Sequence, residues 1–186
     1  MDFTYWRSAD DSVIQQLPYH IAEWVAEFGS LTQKLSHYAD PVRLELLKEA
    51  TDIATENEQQ LLGLTKRSQS QIREVTLYGP SQPWIYARTV VPVANKELLT
   101  ELGEKPLGSI LFTSSELRRQ SLEVRQLQQG DELFEEALLQ VTGNEKSEYL
   151  WARRSVWGSG ETDDDKKSNK LLLVEVFLPD SPLYDK

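Results

Sequence analysis

The chain has 186 residues, 39% hydrophobic and 27% charged, an ordinary balance for a soluble protein long enough to bury one core, and one domain over 1–186 is expected. Its formal net charge of −10 argues against a nucleic-acid binder, which needs a basic surface to neutralise phosphates. The absence of cysteine excludes disulfides, thiolate nucleophiles and Cys-ligated metals, and the two histidines, His20 and His37, have no metal-ligand spacing.

The opening "MDFTYWRSADDSV" carries acids where a secretory signal needs a basic start and an apolar core. No apolar run approaches the ~18 residues of a membrane span. A cytoplasmic protein is expected. From Pro18 to Phe28 the spacing of Ile21, Trp24, Val25 and Phe28 predicts an amphipathic helix, broken at Gly29. Ser30 then opens a second helix, "SLTQKLSHYA", with Gln33 placed for a capping box and Leu31, Leu35 and Tyr38 on its apolar side. His20 and His37 fall on these helices as ordinary amphipathic-helix residues.

Residues 41–54, "PVRLELLKEATDIA", alternate at Val42, Leu44 and Leu46 and lean towards a strand. The polar stretch after them reads as a loop with a helical turn. "IREVTLY" (72–78), the turn cluster "GPSQP" (79–83) and "WIYARTVVPV" (84–93) make an antiparallel hairpin that Pro92 ends or bulges. "KELLTELG" predicts a short helix stopped by Gly103, and "KPLGSILF" another with Pro106 at its first position. Residues 121–127 and 149–157 are further strands, separated by an acidic, partly helical insertion at 128–148. A second insertion, 158–169, is too charged to pack and reads as a mobile hairpin loop before the last strand, "KLLLVEVFLP" (170–179). Helices near the N-terminus followed by hairpin-linked strands predict an α+β fold with a single antiparallel sheet.

Three charges stand inside apolar strands. Glu175 shares a face with Leu171, Leu173 and Phe177, while the opposite face carries Leu172, Val174, Val176 and Leu178. Arg88 lies between two apolar faces in the same way, and Arg73 shares a face with Val75 and Leu77. Buried charges need partners, because breaking such a pair costs on the order of 3–5 kcal/mol. One reading is a structural ion pair. The other is an internal pocket of two guanidiniums and a carboxylate, suited to a small dianion. Hairpin register decides which faces coincide, and a slip of one residue reverses it. No phosphate loop, nucleic-acid patch or G-x-S-x-G frame is present; "RR" at 118–119 and 153–154 is too short for a basic patch, and "DDD" at 163–165 reads as a solvated loop rather than a metal site.

The blocks "PWIYARTVVPV", "LGEKPLGSILFTSSELRR", "LWARRSV" and "LLLVEVFLPDSPLY", taken together, resemble the chorismate lyases, or 4-hydroxybenzoate synthases. The resemblance covers nearly all of 71–127 and 149–184 in order, and reaches the N-terminal part only loosely, through "SLTQKL". It implies a cofactor-free conversion of chorismate to 4-hydroxybenzoate and pyruvate in prenylquinone synthesis. It also implies an antiparallel sheet with helices over it and helix-turn flaps enclosing the ligand. By the family pattern Arg73 holds the aromatic carboxylate, Glu175 meets the ring hydroxyl, and backbone groups at Leu31 and Leu107 complete the cradle. Charge matching adds Arg88 as partner of the enolpyruvyl carboxylate, with Glu175 as the proton-handling group of the same chamber. The partners expected are substrate and product alone, with no nucleic acid, no metal and no membrane span, and the state expected is a monomer. The alternative is a non-catalytic small-acid-sensing domain of the same fold, as found in bacterial transcription regulators. The insertions at 128–148 and 158–169 depart from the family's compact form.

Overall fold

The computed structural model describes residues 2–97, 105, 107–112, 117–141, 147–159 and 170–185. Seven antiparallel strands form one sheet: β1 (Arg7–Ser8), β2 (Arg43–Ile53), β3 (Gln69–Tyr78), β4 (Pro83–Pro92), β5 (Leu117–Gln128), β6 (Tyr149–Ser159) and β7 (Lys170–Phe177). Their spatial order is β1-β5-β6-β7-β4-β3-β2, so the last strand of the chain lies at the centre. That placement explains its continuous apolar run, since a central strand covered on both faces has no solvent side. The expected α+β class with a single antiparallel sheet is what the chain adopts.

Helices α1 (Asp11–Ile14), α2 (Tyr19–Val25) and α3 (Leu31–Leu35) pack on one face, where Ile21, Trp24, Val25, Leu31 and Leu35 meet Ile85, Phe177, Trp151 and Val124. Helix α4 (Glu56–Leu61) and helix α6 (Glu132–Leu138) cover parts of the other face; there Phe134 and Ala137 pack against Tyr86, Leu150 and Val176. A short helix α5 (Gly108–Leu111) joins the first layer. Ser30 caps α3 as expected, its Oγ accepting from Gln33 N at 3.3 Å. The α2 stripe stops earlier than its spacing suggests. The helix ends at Val25, so Phe28 falls in the following turn and is 68% exposed. Tyr38 is 52% exposed yet still tilts against Trp24. The strand reading of 41–54 holds, with a bulge between Leu46 and Lys48 that interrupts the alternation. At the β3–β4 turn, Gly79 lies under the Trp84 ring, where a Cβ would come within 2.1 Å of ring atoms. The insertion 128–148 contributes α6. Of the loop expected at 158–169, Gly158 and Ser159 belong to β6, and 160–169, the greater part (98–103) of the helix expected at 96–103, and Pro106 lie outside the described residues.

Register separates the charges that the sequence grouped. Ala87 lies opposite Glu175 in the β4–β7 pair, so Arg88 lies opposite Val174 and points to the other face. One row across the sheet reads Val124, Arg153, Glu175, Ala87, Val75; the next, on the opposite face, reads Glu123, Arg154, Val174, Arg88, Glu74. The expectation of Arg88 in one chamber with Glu175 is therefore corrected by the twofold period of the strand. Arg88 instead donates from Nε and Nη2 to Glu58 of α4 at 2.8 and 3.2 Å, and from Nη1 to Glu74. Glu58 also closes the α4 capping box, accepting from Thr55 N at 2.9 Å.

Burial pushes the Glu58 carboxyl up, but the bonds and charge of Arg88, with Thr55, outweigh it and hold Glu58 below its ordinary value. A carboxylate lowered on folding adds stability that is complete above its unfolded value near 4.5 and is lost as pH falls through the folded one. Glu58→Gln is therefore expected to lose less stability than the parent chain as pH drops below 4.5, measured by urea midpoints across pH. Arg88→Ala leaves Glu58 and Glu74 without their cation and is expected to lose roughly 3–5 kcal/mol at neutral pH.

Candidate active site

A narrow chamber lies between the sheet and the first helix layer, walled by Leu44, Val75, Leu77, Ala87, Thr89 and Leu173, with about 40 Å³ of open space at its centre. Its charged lining comes from four strands: Arg73 of β3, Arg119 of β5, Arg153 of β6 and Glu175 of β7. Small Ala87 and Thr89 on β4 leave the room between them that larger side chains would fill. Leu31, at the start of α3, and Leu107, just before α5, close the roof. The two roof segments touch at Gly108, where a Cβ would fall 2.9 Å from Ser30 Oγ.

Glu175 is 8% exposed and its Oε2 accepts from Arg153 Nε at 2.6 Å, a charge-assisted bond between directly paired residues. Arg153 also donates from Nη1 to Glu27 O at 2.8 Å and Trp24 O at 3.4 Å. Arg73 is 1% exposed; its Nη2 donates to Lys105 O at 3.2 Å, and Glu49 Oε2 stands 3.6 Å from its Nε. Burial draws the Arg73 guanidinium below its usual range, and Glu49 partly counters this.

Arg119 sits at the mouth. Its Nη1 donates to Phe28 O at 3.1 Å, and its guanidinium lies 4.7 Å from the Trp157 ring centre, with Phe28 and Phe112 further out at 6.0 and 5.9 Å. Among the described residues its buried Nε has no hydrogen-bond acceptor. Burial, and then the charge of Arg153, pull the Arg119 guanidinium down to about 10.

The chamber thus unites four of the sequence-predicted residues, Leu31, Arg73, Leu107 and Glu175, and excludes Arg88. Arg153 and Arg119 are the two that sequence reasoning missed. Arg153 had a signal: in a strand apolar on both faces, an Arg-Arg doublet must send one guanidinium to each face. Arg119 had none. The bulge between Arg119 and Ser121 brings Arg119 to the same face as Leu122 and Val124, against strict alternation, while Gln120 packs over Gly158.

A larger groove, about 690 Å³, opens on the opposite face around Arg88, Arg154, Glu74 and Glu136. There the guanidiniums of Arg88, Arg125 and Arg154 are each bound to carboxylates, at Glu58 and Glu74, Asp131 and Glu123. In the chamber, among the described residues, three guanidiniums face one lining carboxylate, with Glu49 at the edge 3.6 Å from Arg73, so positive charge outweighs negative. It is therefore the site prepared for an anion.

The effector domain of PhnF from Mycobacterium smegmatis is similar in fold, with a TM-score of 0.55 at 13% identity over 83% of this chain and 91% of that one. The chain is 35% identical to the chorismate pyruvate-lyase of Pectobacterium atrosepticum over 90% of its length and 82% of that protein. It is 33% identical to the chorismate pyruvate-lyase of Photorhabdus laumondii, over 97% and 92% of the two chains. The chorismate lyase family profile matches residues 1–186, and the chain belongs to that family.

Proposed function

We infer that the chain cleaves chorismate to 4-hydroxybenzoate and pyruvate, residues 1–186 acting as one lyase unit. The observation that carries this is the convergence of three guanidiniums around one lining carboxylate in an enclosed apolar chamber, since chorismate is a dicarboxylate. The relatives named above, chorismate pyruvate-lyases at 33–35% identity, support the same reaction. Likeness to the regulator's effector domain carries the fold alone.

In the reaction the ether bond from the ring to the enolpyruvyl oxygen breaks, the hydrogen on the adjacent carbinol carbon leaves, and the enolpyruvyl methylene gains a proton. Aromatisation drives the step, so the protein's task is to hold the diene, exclude water and manage one proton. Arg73, the deepest guanidinium, binds the ring carboxylate, and Glu175 accepts from the ring hydroxyl at the other end. Backbone groups at Leu31 and Leu107 complete the cradle. The enolpyruvyl carboxylate falls to Arg119, which lines the chamber and whose buried Nε has no acceptor among the described residues; this is the role that charge matching had assigned to Arg88. The open centre holds only a few water molecules, whereas ligand pockets of this kind span roughly 300–1,000 Å³. The roof segments at 28–32 and 107–112 must therefore part to admit the substrate, which makes their contact at Gly108 part of the site. No helix among the described residues is long and apolar enough to cross a membrane; a cytoplasmic reaction on a diffusing metabolite is the setting proposed.

Incubating the protein with chorismate and following 4-hydroxybenzoate absorbance and pyruvate tests the reading directly. Both products are expected in equal amounts; folded protein that gives neither points to small-acid sensing instead. Arg73→Ala is expected to weaken 4-hydroxybenzoate binding roughly 10- to 100-fold by calorimetry, the size of a lost bond to a charged group. Glu175→Gln is expected to lower kcat roughly 10²- to 10⁴-fold, and near-full turnover would remove its proton-handling role.

Arg119→Ala is expected to raise KM for chorismate, while Arg88→Ala leaves KM unchanged; the reverse result restores the assignment drawn from sequence. Because Arg119 loses its charge as pH rises through about 10, kcat/KM is expected to fall across that range in the parent chain. The same fall should be absent from Arg119→Ala. Profiles that coincide remove Arg119 from the site.

A further inference from the structure

Three carbonyl and carboxylate acceptors converge on the guanidinium of Arg153, and they belong to two different parts of the molecule. Nε holds Glu175 of the central strand at 2.6 Å. Nη1 holds the Glu27 carbonyl at 2.8 Å and the Trp24 carbonyl at 3.4 Å, both at the end of α2. Trp24 O also accepts from Glu27 N at 3.3 Å, so Arg153 adds a second donor there, while Glu27 lies just past the helix end and offers its carbonyl to the cation. The turn they lead into is knit further. Glu27 Oε1 accepts from Gly29 N at 2.6 Å, its Oε2 stands 3.7 Å from Lys34 Nζ, and Lys34 donates to Glu23 O at 2.6 Å. These bonds tie Glu27 and Gly29 to each other and to Lys34 of α3, and Leu31 of the chamber roof follows directly from this turn.

We propose that Arg153 is a positioning residue that sets Glu175 in its working orientation and does so only while the turn carrying Phe28–Leu31 is closed. A carboxylate on a strand has free rotation about its side-chain bonds unless something fixes it, and Arg153, itself 2% exposed and packed, is the group that does. The planar guanidinium is pre-organised for two acceptors on different edges, which an ammonium cannot match. When the turn lifts, the carbonyls of Trp24 and Glu27 withdraw from Nη1 and the guanidinium loses the anchor that fixes its plane. Glu175 is then released together with it. Closure over the substrate and orientation of the carboxylate are one event, so chemistry waits for the chamber to be sealed.

The proposal rests on the lyase reading, and the parent chain's turnover of chorismate decides that reading separately: an inactive parent overturns the reading, whatever the variants do. The test is a double-mutant cycle of Arg153→Lys and Glu175→Gln, with kcat and KM for each form. Arg153→Lys is expected to lower kcat roughly 10- to 100-fold with KM changed by less than about threefold. In the Glu175→Gln background the same change should alter kcat by less than about threefold, because its effect passes through Glu175. Equal losses in the two backgrounds, or an unchanged kcat in Arg153→Lys, overturn the proposal.

A merely structural arginine would not give this pattern, nor rescue by a small cation. Arg153→Ala assayed with added guanidinium chloride is expected to recover part of its kcat saturably, while Glu175→Gln gains nothing. Folded Arg153→Ala that guanidinium leaves unrescued counts against the idea, as does rescue that persists after Glu175 is replaced. The link to the roof has its own readout. Hydrogen exchange at the amides of 28–31 is expected to speed up at least tenfold in Arg153→Lys, and unchanged exchange there severs orientation from closure.

Discussion

The direct pairing of Arg153 with Glu175 across β6 and β7 is the constraint on which the rest of this molecule turns. β7 is central and covered on both faces, so each charge in it or beside it must be answered locally. On one face each guanidinium is met by carboxylates: Glu123 and Arg154 pair at 2.7 Å, and Arg88 is held by both Glu58 and Glu74. On the other face the answer is incomplete by design of the register. Glu175 satisfies Arg153, but Arg73 and Arg119 reach the same space and lean on main-chain carbonyls, ring faces and one carboxylate at the edge. Burial lowers both guanidiniums below their usual range, with Glu49 partly countering it at Arg73 and Arg153 adding to it at Arg119.

The strands and two of the four charges were legible in the sequence for the same physical reason. Apolar runs at 72–78, 84–93, 149–157 and 170–179 exceed what a one-sided strand needs, and a lone charge in such a run must have a purpose. Arg73 and Glu175 were found that way, and so was Arg88. What a single sequence does not contain is the pairing of one strand with the next. Arg88 and Glu175 obey the same local pattern, yet the register of Ala87 against Glu175 sends them to opposite faces. The doublet Arg153-Arg154 is the reverse case, since period-two geometry alone assigns one arginine to each face once the strand is known to be buried.

Elsewhere the misreadings trace to interruptions of regular geometry. A bulge turns Arg119 into the chamber, and no spacing of apolar residues announces it. Helix α2 stops at Val25 while its apolar stripe runs on to Phe28, and past its end the Glu27 carbonyl turns to Arg153 instead of continuing the helical ladder. Phe28 is thereby freed to stand exposed beside the guanidinium of Arg119. The fold was legible at the level of strands, and the site only where a residue's role does not depend on its neighbour strand.

Depth orders the three guanidiniums, and the order bears on how a dicarboxylate would be handled. Arg73 is almost wholly buried behind the roof, whereas Arg119 lies under two aromatic rings that are themselves exposed, Phe28 and Phe112. Cleavage divides the two substrate carboxylates between two products. The one on the small three-carbon product lies, on the proposed assignment, at the mouth beside Arg119; the one on the ring lies at the bottom against Arg73. A chamber lined by three guanidiniums and one carboxylate favours the intact dianion over either monoanion, so charge matching worsens as the products part. The smaller acid has the shorter path out. On the same assignment the aromatic acid, held at both ends by Arg73 and Glu175 and roofed by Leu31 and Leu107, leaves when the turn held by Arg153 rises. In this geometry the group that orients the carboxylate for chemistry is also the group that must let go before the ring departs.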